Sequence, residues 1–210
     1  ADVRRVTVVF VRLHVKLDHP DHRTALLIHQ SLLAVQKAGY RFKGTLRQFL
    51  QDDKGLVAIL VMGMPPLAPD PTDSVRAVLA AMALQEGLGE LGVCASVGIT
   101  SGRAYSGFVG SPSRKEMCVM GSFVNMAARL MAAGCQSILM DKETEKDASL
   151  QVECEELESV RVKGRDSPLQ VFQPLRRRSP DEVVALALLL AAKTLSSPSS
   201  SPSSSPSSSP

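Results

Sequence analysis

Apolar positions along the chain switch between two periods. Residues 5 to 13 hold a dense β-branched run, Val6-Thr-Val-Val-Phe-Val11, which predicts a strand buried on both faces. Past Asp18-His-Pro-Asp21 the period lengthens, and Ala25, Ile28, Leu32 and Val35 recur at helical spacing. Pro20 suits the first turn of that helix, Asp18 its cap and Gly39 its stop. Tyr40 to Leu50, the polar turn Gln51-Asp-Asp-Lys-Gly55 and the apolar run Leu56 to Met62 read as a hairpin with a buried return strand.

Gly63-Met-Pro-Pro66 closes that segment, and Thr72-Asp-Ser74 offers caps for an alanine-rich helix over 75–87 that Gly87, Gly89 and Gly92 break. Val93, Ala95, Val97 and Ile99 alternate with smaller residues, Ser101-Gly102 reads as a turn, and Ala104 to Val109 returns as a second hairpin. A helix over 122–134, a strand over 137–140, a short helix over 142–148 and two strands over 151–173 around Lys163-Gly-Arg165 complete the pattern. This order is the split βαβ of an α+β fold: a ferredoxin-like βαββαβ core with an additional helix and strands. One domain is expected over 1–175. Residues 176–195 are a basic boundary, Arg176-Arg-Arg178, and an apolar segment that reads as a short helix or as linker. Residues 196–210 contain only Ser and Pro, a composition that does not build a core.

Composition narrows the function classes. Lys and Arg number 24 against 21 Asp and Glu, and a net charge of +3 is too small to imply nucleic-acid binding by bulk electrostatics. Cys94, Cys118, Cys135 and Cys154 form no Cys-x-x-Cys pair, which argues against a zinc ribbon, a thioredoxin-type motif or a disulfide scaffold and fits a reduced, cytoplasmic setting. No signal-peptide pattern is visible at the start, and Val183 to Ala192 is about half the roughly 20 residues of a membrane-spanning helix.

The segment Met117-Cys-Val-Met-Gly-Ser-Phe-Val-Asn-Met-Ala-Ala-Arg-Leu-Met131 carries the most chemistry. On a helix from Ser122, Asn125 and Arg129 stand at i and i+4 and share a face, where an amide and a guanidinium can orient a sugar and clamp phosphate charge. By spacing alone the pair also reads as the wet face of an amphipathic helix. Asp18-His-Pro-Asp-His22 could hold a metal, but reads first as cap and surface residues. There is no Walker A and no Gly-x-Gly-x-x-Gly pattern. Arg176-Arg-Arg-Ser179-Pro resembles a basophilic kinase target and equally a basic linker.

Together with Val97-Gly-Ile-Thr-Ser-Gly102 and Gly107-Phe-Val-Gly110, this segment resembles the signature of the class III nucleotide cyclase catalytic domain. Leu46-Arg-Gln-Phe-Leu-Gln-Asp-Asp-Lys-Gly55 and Gly110-Ser-Pro-Ser-Arg-Lys-Glu-Met117 resemble the second, C2-like half of soluble, bicarbonate-responsive adenylyl cyclases. The likeness runs from about Arg5 to Pro174. It implies a two-domain assembly with ATP at the interface, Mg²⁺ or Mn²⁺ held by two aspartates of the partner half, and cyclic AMP and pyrophosphate as products for intracellular signalling. Within it Asn125 matches the ribose-orienting residue, Arg129 the residue stabilising charge at the transferring phosphorus, and Lys163 a triphosphate contact; Lys163 equally reads as a solvated loop lysine. Gln48 and Cys118 fall at the base-reading positions, with Arg47 beside the first. They reproduce neither the adenylyl pattern, a lysine with an aspartate or threonine, nor the guanylyl pattern of glutamate and cysteine.

The departures from the family are specific. The metal-binding half ends its first strand in Phe-x-Asp, where this chain has Phe10-Val-Arg12, and its second aspartate follows the hairpin glycine, where this chain has Leu56 after Gly55. Asp52 and Asp53 read as a solvated turn. The resemblance therefore implies a half without metal ligands, which needs a metal-bearing cyclase domain, expected in the same parent chain. The alternatives are a catalytically degenerate domain with a regulatory or nucleotide-binding role, and half of a guanylyl cyclase.

Overall fold

The computed structural model describes residues 2–16, 21–53, 55–162 and 167–196. Lys163, the Asp18-His19-Pro20 stretch and the Ser/Pro tail from 197 lie outside the described residues. In chain order the elements are β1 Asp2–Leu13, α1 His22–Arg41, β2 Thr45–Asp52, β3 Gly55–Met62, α2 Asp73–Glu90, β4 Ala95–Ser111, β5 Arg114–Met120, α3 Ser122–Ala133, β6 Ile138–Asp141, α4 Lys142–Ala148, β7 Val152–Val160, β8 Leu169–Arg177 and α5 Pro180–Ser196.

The sheet runs β2-β3-β1-β4-β6-β8-β7, with β5 paired to β4 outside that path. Its first four strands, β2-β3-β1-β4, have the ferredoxin-like order, and the α+β reading holds. β1 is the central divider, because alternate residues of a strand face opposite sides. Val9, Val11 and Leu13 point into the main core with Leu60, Val78, Ala81 and Leu84 of β3 and α2. Val6 and Val8 point the other way, into a smaller cluster with Val61, Ala104 and Ala127. Helices α1 and α2 cover the first face; α3 covers part of the second, over β4 and β1.

Several sequence expectations change. Helix α1 is capped by Asp21, which accepts hydrogen bonds from the Thr24 amide at 2.8 Å and hydroxyl at 2.9 Å. It passes through Gly39 to Arg41, and the chain turns only at Lys43, where φ is 59°. Gly39 is buried against the sheet: a Cβ there would stand 2.8 Å from Leu60 Cδ2. Helix α2 likewise absorbs Gly87 and Gly89 and ends at Glu90.

The largest correction concerns the second hairpin. Ser101-Gly102 is not a turn: β4 runs unbroken for 17 residues, and its hairpin partner is β5, a strand absent from the sequence reading. Finally, Arg176 and Arg177 belong to β8, where Arg176 pairs with Glu153 of β7, and the apolar segment beyond is a 17-residue helix. No described helix is long and apolar enough to cross a membrane.

Candidate functional site

The site begins with two glycines on β4. A Cβ on Gly98 would fall inside the Ala127 carbonyl oxygen and 2.5 Å from the Met131 amide nitrogen, both backbone atoms of α3. A Cβ on Gly102 would stand 2.6 Å from the Phe123 ring. Glycine at these two points therefore lets α3 lie directly on the strand, a closer approach than any side chain allows. Thr100, between them, donates from Oγ1 to the Phe123 carbonyl at 2.9 Å and pins the first turn of the helix. At its end the Gly134 amide closes onto the Leu130 carbonyl at 2.9 Å.

Seated in this way, α3 buries Ala127, Leu130 and Met131 and turns Asn125 and Arg129 outward. Asn125 is exposed and Arg129 half-buried. Both line one cleft of about 520 Å³, closed by Met126 and Phe123 of the same helix, Asp141 at the end of β6 and Leu169 at the start of β8. Neither side chain has a hydrogen-bond or ion-pair partner among the described residues, so both are free to meet a ligand.

Asp141 was not singled out from the sequence. Its Oδ1 caps α4, accepting from the Thr144 amide at 3.0 Å and hydroxyl at 2.6 Å. Burial pushes its carboxyl above the ordinary range, and the Thr144 hydrogen bonds oppose that rise. Thr144 also meets Ser101 Oγ at 2.9 Å, which in turn meets Thr7 at 2.9 Å and Ser74 at 3.0 Å. A buried hydroxyl chain thus ties the cleft's wall to the α2 side of the sheet. The available signal was Asp141-Lys-Glu-Thr144 ahead of a short helix, a cap pattern that names no function.

A second, smaller cavity of about 120 Å³ lies on the same sheet face. Its walls are Val8, Phe10, Ile59 and Val61 of the sheet, Val119 of β5 and Val124 of α3, and its polar edge is Arg47 and Gln48 of β2. Consecutive α3 residues border the two spaces, Val124 the slot and Asn125 the cleft. Cys118 is half-buried opposite Gly107, next to Val119, and lines neither space. The structure therefore brings Asn125 to Arg129 and places Gln48 nearby, leaves Cys118 to one side, and does not describe Lys163.

The metal-ligand question can be tested on the side chains present. Arg12 has the strand parity of Val8 and Phe10, so it faces the same side of the sheet, and its Nε is buried without a hydrogen-bond partner. Burial and the charge of Arg12 together lower the pKa of neighbouring His14, whose Nε2 lies 2.8 Å from Ser96 Oγ. Leu56 is 6% exposed and sits in the main core. A guanidinium and an aliphatic side chain at these two points do not fit a divalent cation. Among the described residues no three His, Cys, Asp or Glu side chains converge.

Comparisons with known proteins bear on the fold and the family. The chain is 28% identical over 185 residues to an uncharacterized protein of Mycobacterium tuberculosis, covering 83% of this chain and 32% of that protein. It is 28% identical over 179 residues to adenylate cyclase type 10 of Rattus norvegicus, covering 83% of this chain and 11% of that protein. The chain thus spans a minor part of each relative's length. Among solved structures, the adenylyl cyclase CyaB from P. aeruginosa superposes with a TM-score of 0.75 at 22% identity, covering 85% of this chain and 98% of that one. The guanylyl cyclase Cya2 superposes with a TM-score of 0.76 at 20% identity, covering 85% and 95%. These likenesses establish the fold. Residues 71–173, which run from the start of α2 through the cleft to β8, match the model of the adenylate and guanylate cyclase catalytic domain, and this part of the chain belongs to that class III nucleotide cyclase family.

Proposed function

We propose that this chain is the C2-like half of an adenylyl cyclase, the half that supplies the asparagine and arginine of an interfacial site converting ATP to cyclic AMP and pyrophosphate. The observation that carries this reading is the pairing of Asn125 and Arg129 in one cleft, in a chain where Arg12 and Leu56 stand at the positions of the family's metal aspartates. The 28% identity to a protein named adenylate cyclase type 10 favours ATP as the nucleotide.

In this reading the ribose 3′-oxygen attacks the α-phosphorus, the bond to the β-phosphate oxygen breaks, and pyrophosphate leaves. Asn125 holds the ribose so that attack is in line. Arg129 donates to the oxygens that gain charge at the phosphorus, an interaction stronger in the transition state than in the bound substrate. Mg²⁺ or Mn²⁺ is assigned to a partner cyclase domain, expected in the same parent chain, and a symmetric dimer of this half does not complete the site. Lys163 is assigned to the triphosphate, and Gln48 and Cys118 to the neighbourhood of the base. A cytoplasmic location fits the four unpaired cysteines.

The test is to mix the chain with a metal-bearing half and assay cyclic AMP and cyclic GMP in Mg²⁺ and in Mn²⁺. Asn125→Ala and Arg129→Ala are each expected to lower turnover on the order of a hundredfold or more. Variants equal to wild type would remove both residues from the site. Product from the chain alone would remove the need for a partner.

A further inference from the structure

Three hydroxyl side chains carry an arginine three residues before them: Thr7 after Arg4-Arg-Val6, Ser106 after Arg103-Ala-Tyr105, and Ser179 after Arg176-Arg-Arg178. That spacing suits a serine/threonine kinase whose own carboxylates hold the guanidinium while the hydroxyl reaches the nucleotide. The fold separates the three. Thr7 is 1% exposed within β1, laddered to β3 on one side and β4 on the other, and Ser106 is 0% exposed in β4. Ser179 is exposed, in the two-residue joint between β8 and α5.

Around Ser179 the cations outnumber their partners. Arg176, Arg177, Arg178 and Ser179 border one cleft of about 730 Å³ beside the first turn of α5. Arg176, half exposed, takes both carboxylates at hand, Glu182 at 2.7 and 3.0 Å and Glu153 at 2.7 Å. Arg178 lies 3.9 Å from that same Glu153 oxygen and donates its Nε to the Ser149 carbonyl at 3.3 Å. Arg177 has no hydrogen-bond or ion-pair partner among the described residues. Three guanidiniums thus share two carboxylates. The Ser179 amide donates to the Glu182 carboxylate at 2.7 Å, while its Oγ accepts from the Glu182 amide over a longer 3.3 Å.

We propose that Ser179 is a phosphorylation site, modified by a serine kinase that reads Arg176, and that the arginine triplet then holds the phosphate in this cleft. In the transfer the bond from Ser179 Oγ to the γ-phosphorus of ATP forms and the bond from that phosphorus to its bridging oxygen breaks. ADP leaves, and the hydroxyl proton passes to the kinase's base. The product carries close to two negative charges and three acceptor oxygens. Arg177 and Arg178 gain a partner, and the Glu182 amide gains a stronger acceptor. The phosphate repels the Glu182 carboxylate and competes with it for Arg176, so the tie between β8 and α5 passes from Glu182 to the phosphate. The site is separate from the cleft of Asn125 and Arg129 and does not rest on the cyclase reading.

The test incubates the full chain with ATP, Mg²⁺ and either an arginine-directed or a proline-directed serine kinase, maps phosphate by peptide mass spectrometry and follows amide exchange. The second arm is needed because Pro180 follows Ser179, as prolines also follow Ser167 and Ser197. The arginine-directed kinase is expected to modify Ser179 and spare Thr7 and Ser106. Arg176→Ala should slow that modification by about tenfold or more, the worth of one charge-assisted hydrogen bond, and Arg176→Lys by less. Ser179→Ala should abolish it. In the modified chain, exchange in the first turn of α5 should slow by on the order of tenfold while β1 and β4 exchange as before.

No phosphate on Ser179, phosphate on Thr7 or Ser106 in its place, or modification by the proline-directed kinase alone overturns the proposal. So does a rate that Arg176→Ala leaves unchanged. Phosphorylated Ser179 with exchange in α5 unchanged or faster overturns the capture of the phosphate by the triplet.

Discussion

Gly98→Ala is a single methyl placed where the structure has no room. The new Cβ meets the backbone of α3, with the Met131 nitrogen at 2.5 Å and the Ala127 oxygen nearer still, so neither clash can be relieved by rotating a side chain. Restoring ordinary carbon contact distances requires α3 to retreat by roughly 1 Å. Overpacking of this kind costs about 1–3 kcal/mol. In a domain of this size each kcal/mol lowers the melting temperature by about 2–4 °C. Because Asn125 and Arg129 ride on the displaced helix, a shift of about 1 Å also lowers turnover by on the order of a hundredfold. Thermal melting, amide exchange along α3 and cyclase assays with a metal-bearing half measure the three effects. Gly89→Ala is the control: it sits in helix α2 with nothing within 4 Å of the added carbon, and should stabilise by about 0.5–1 kcal/mol without touching activity. A Gly98→Ala protein that melts and turns over like wild type would show that α3 is not held by backbone contact with β4.

Two further predictions concern pH. The Asp141 carboxyl is raised above its ordinary value of 3.8 by burial, so the folded state binds its proton more tightly than the unfolded state does. Its contribution is therefore greatest in acid and declines as pH rises through the folded pKa; denaturation midpoints of wild type relative to Asp141→Asn should fall along that window. Glu182 titrates in the opposite sense, held down to about 2 chiefly by its hydrogen bond to Arg176 and also by the Ser179 amide. The tie between β8 and α5 is present above pH 4.5 and is lost as pH falls toward 2, and its solvent exposure makes it weaken with salt. Amide exchange in the first turns of α5 should accelerate over that range in wild type and not in Glu182→Gln.

What the sequence made legible follows from where each signal is written. Asn125 and Arg129 share one helix, and a spacing of four residues is enough to put them on one face. The order of the first four strands was readable because β1, β3 and β4 hold apolar runs rich in β-branched residues and the polar turn from Gln51 to Gly55 joins β2 to β3. Gly39 and Gly102 misled for one reason: a glycine that ends an element and a glycine that lets a neighbour come close look the same in one dimension. Only Leu60 and Phe123, distant in sequence, distinguish them. β5 was missed because its start, Arg114-Lys-Glu116, is charged and exposed; it is a strand because β4 extends far enough to pair with it, not because it is buried. The place of Asp141 in the cleft wall depends on contacts between separate elements, which no local pattern encodes.

Strand β4 acts as a gauge for the site. The points where it meets α3, Gly98 and Gly102, are four residues apart, about 13 Å along the strand. The helix segment they receive, Phe123 to Met131, spans about 12 Å. The two lengths are commensurate, so inserting or deleting one residue between 98 and 102 would mismatch them and turn one seat to the opposite face. Length changes at the β4–β5 turn, around Pro112 and Ser113, leave that interval intact. Variation in chain length among sequences with this site is thus confined by simple metrology: free at the hairpin tip, forbidden along the five residues that set the helix in place.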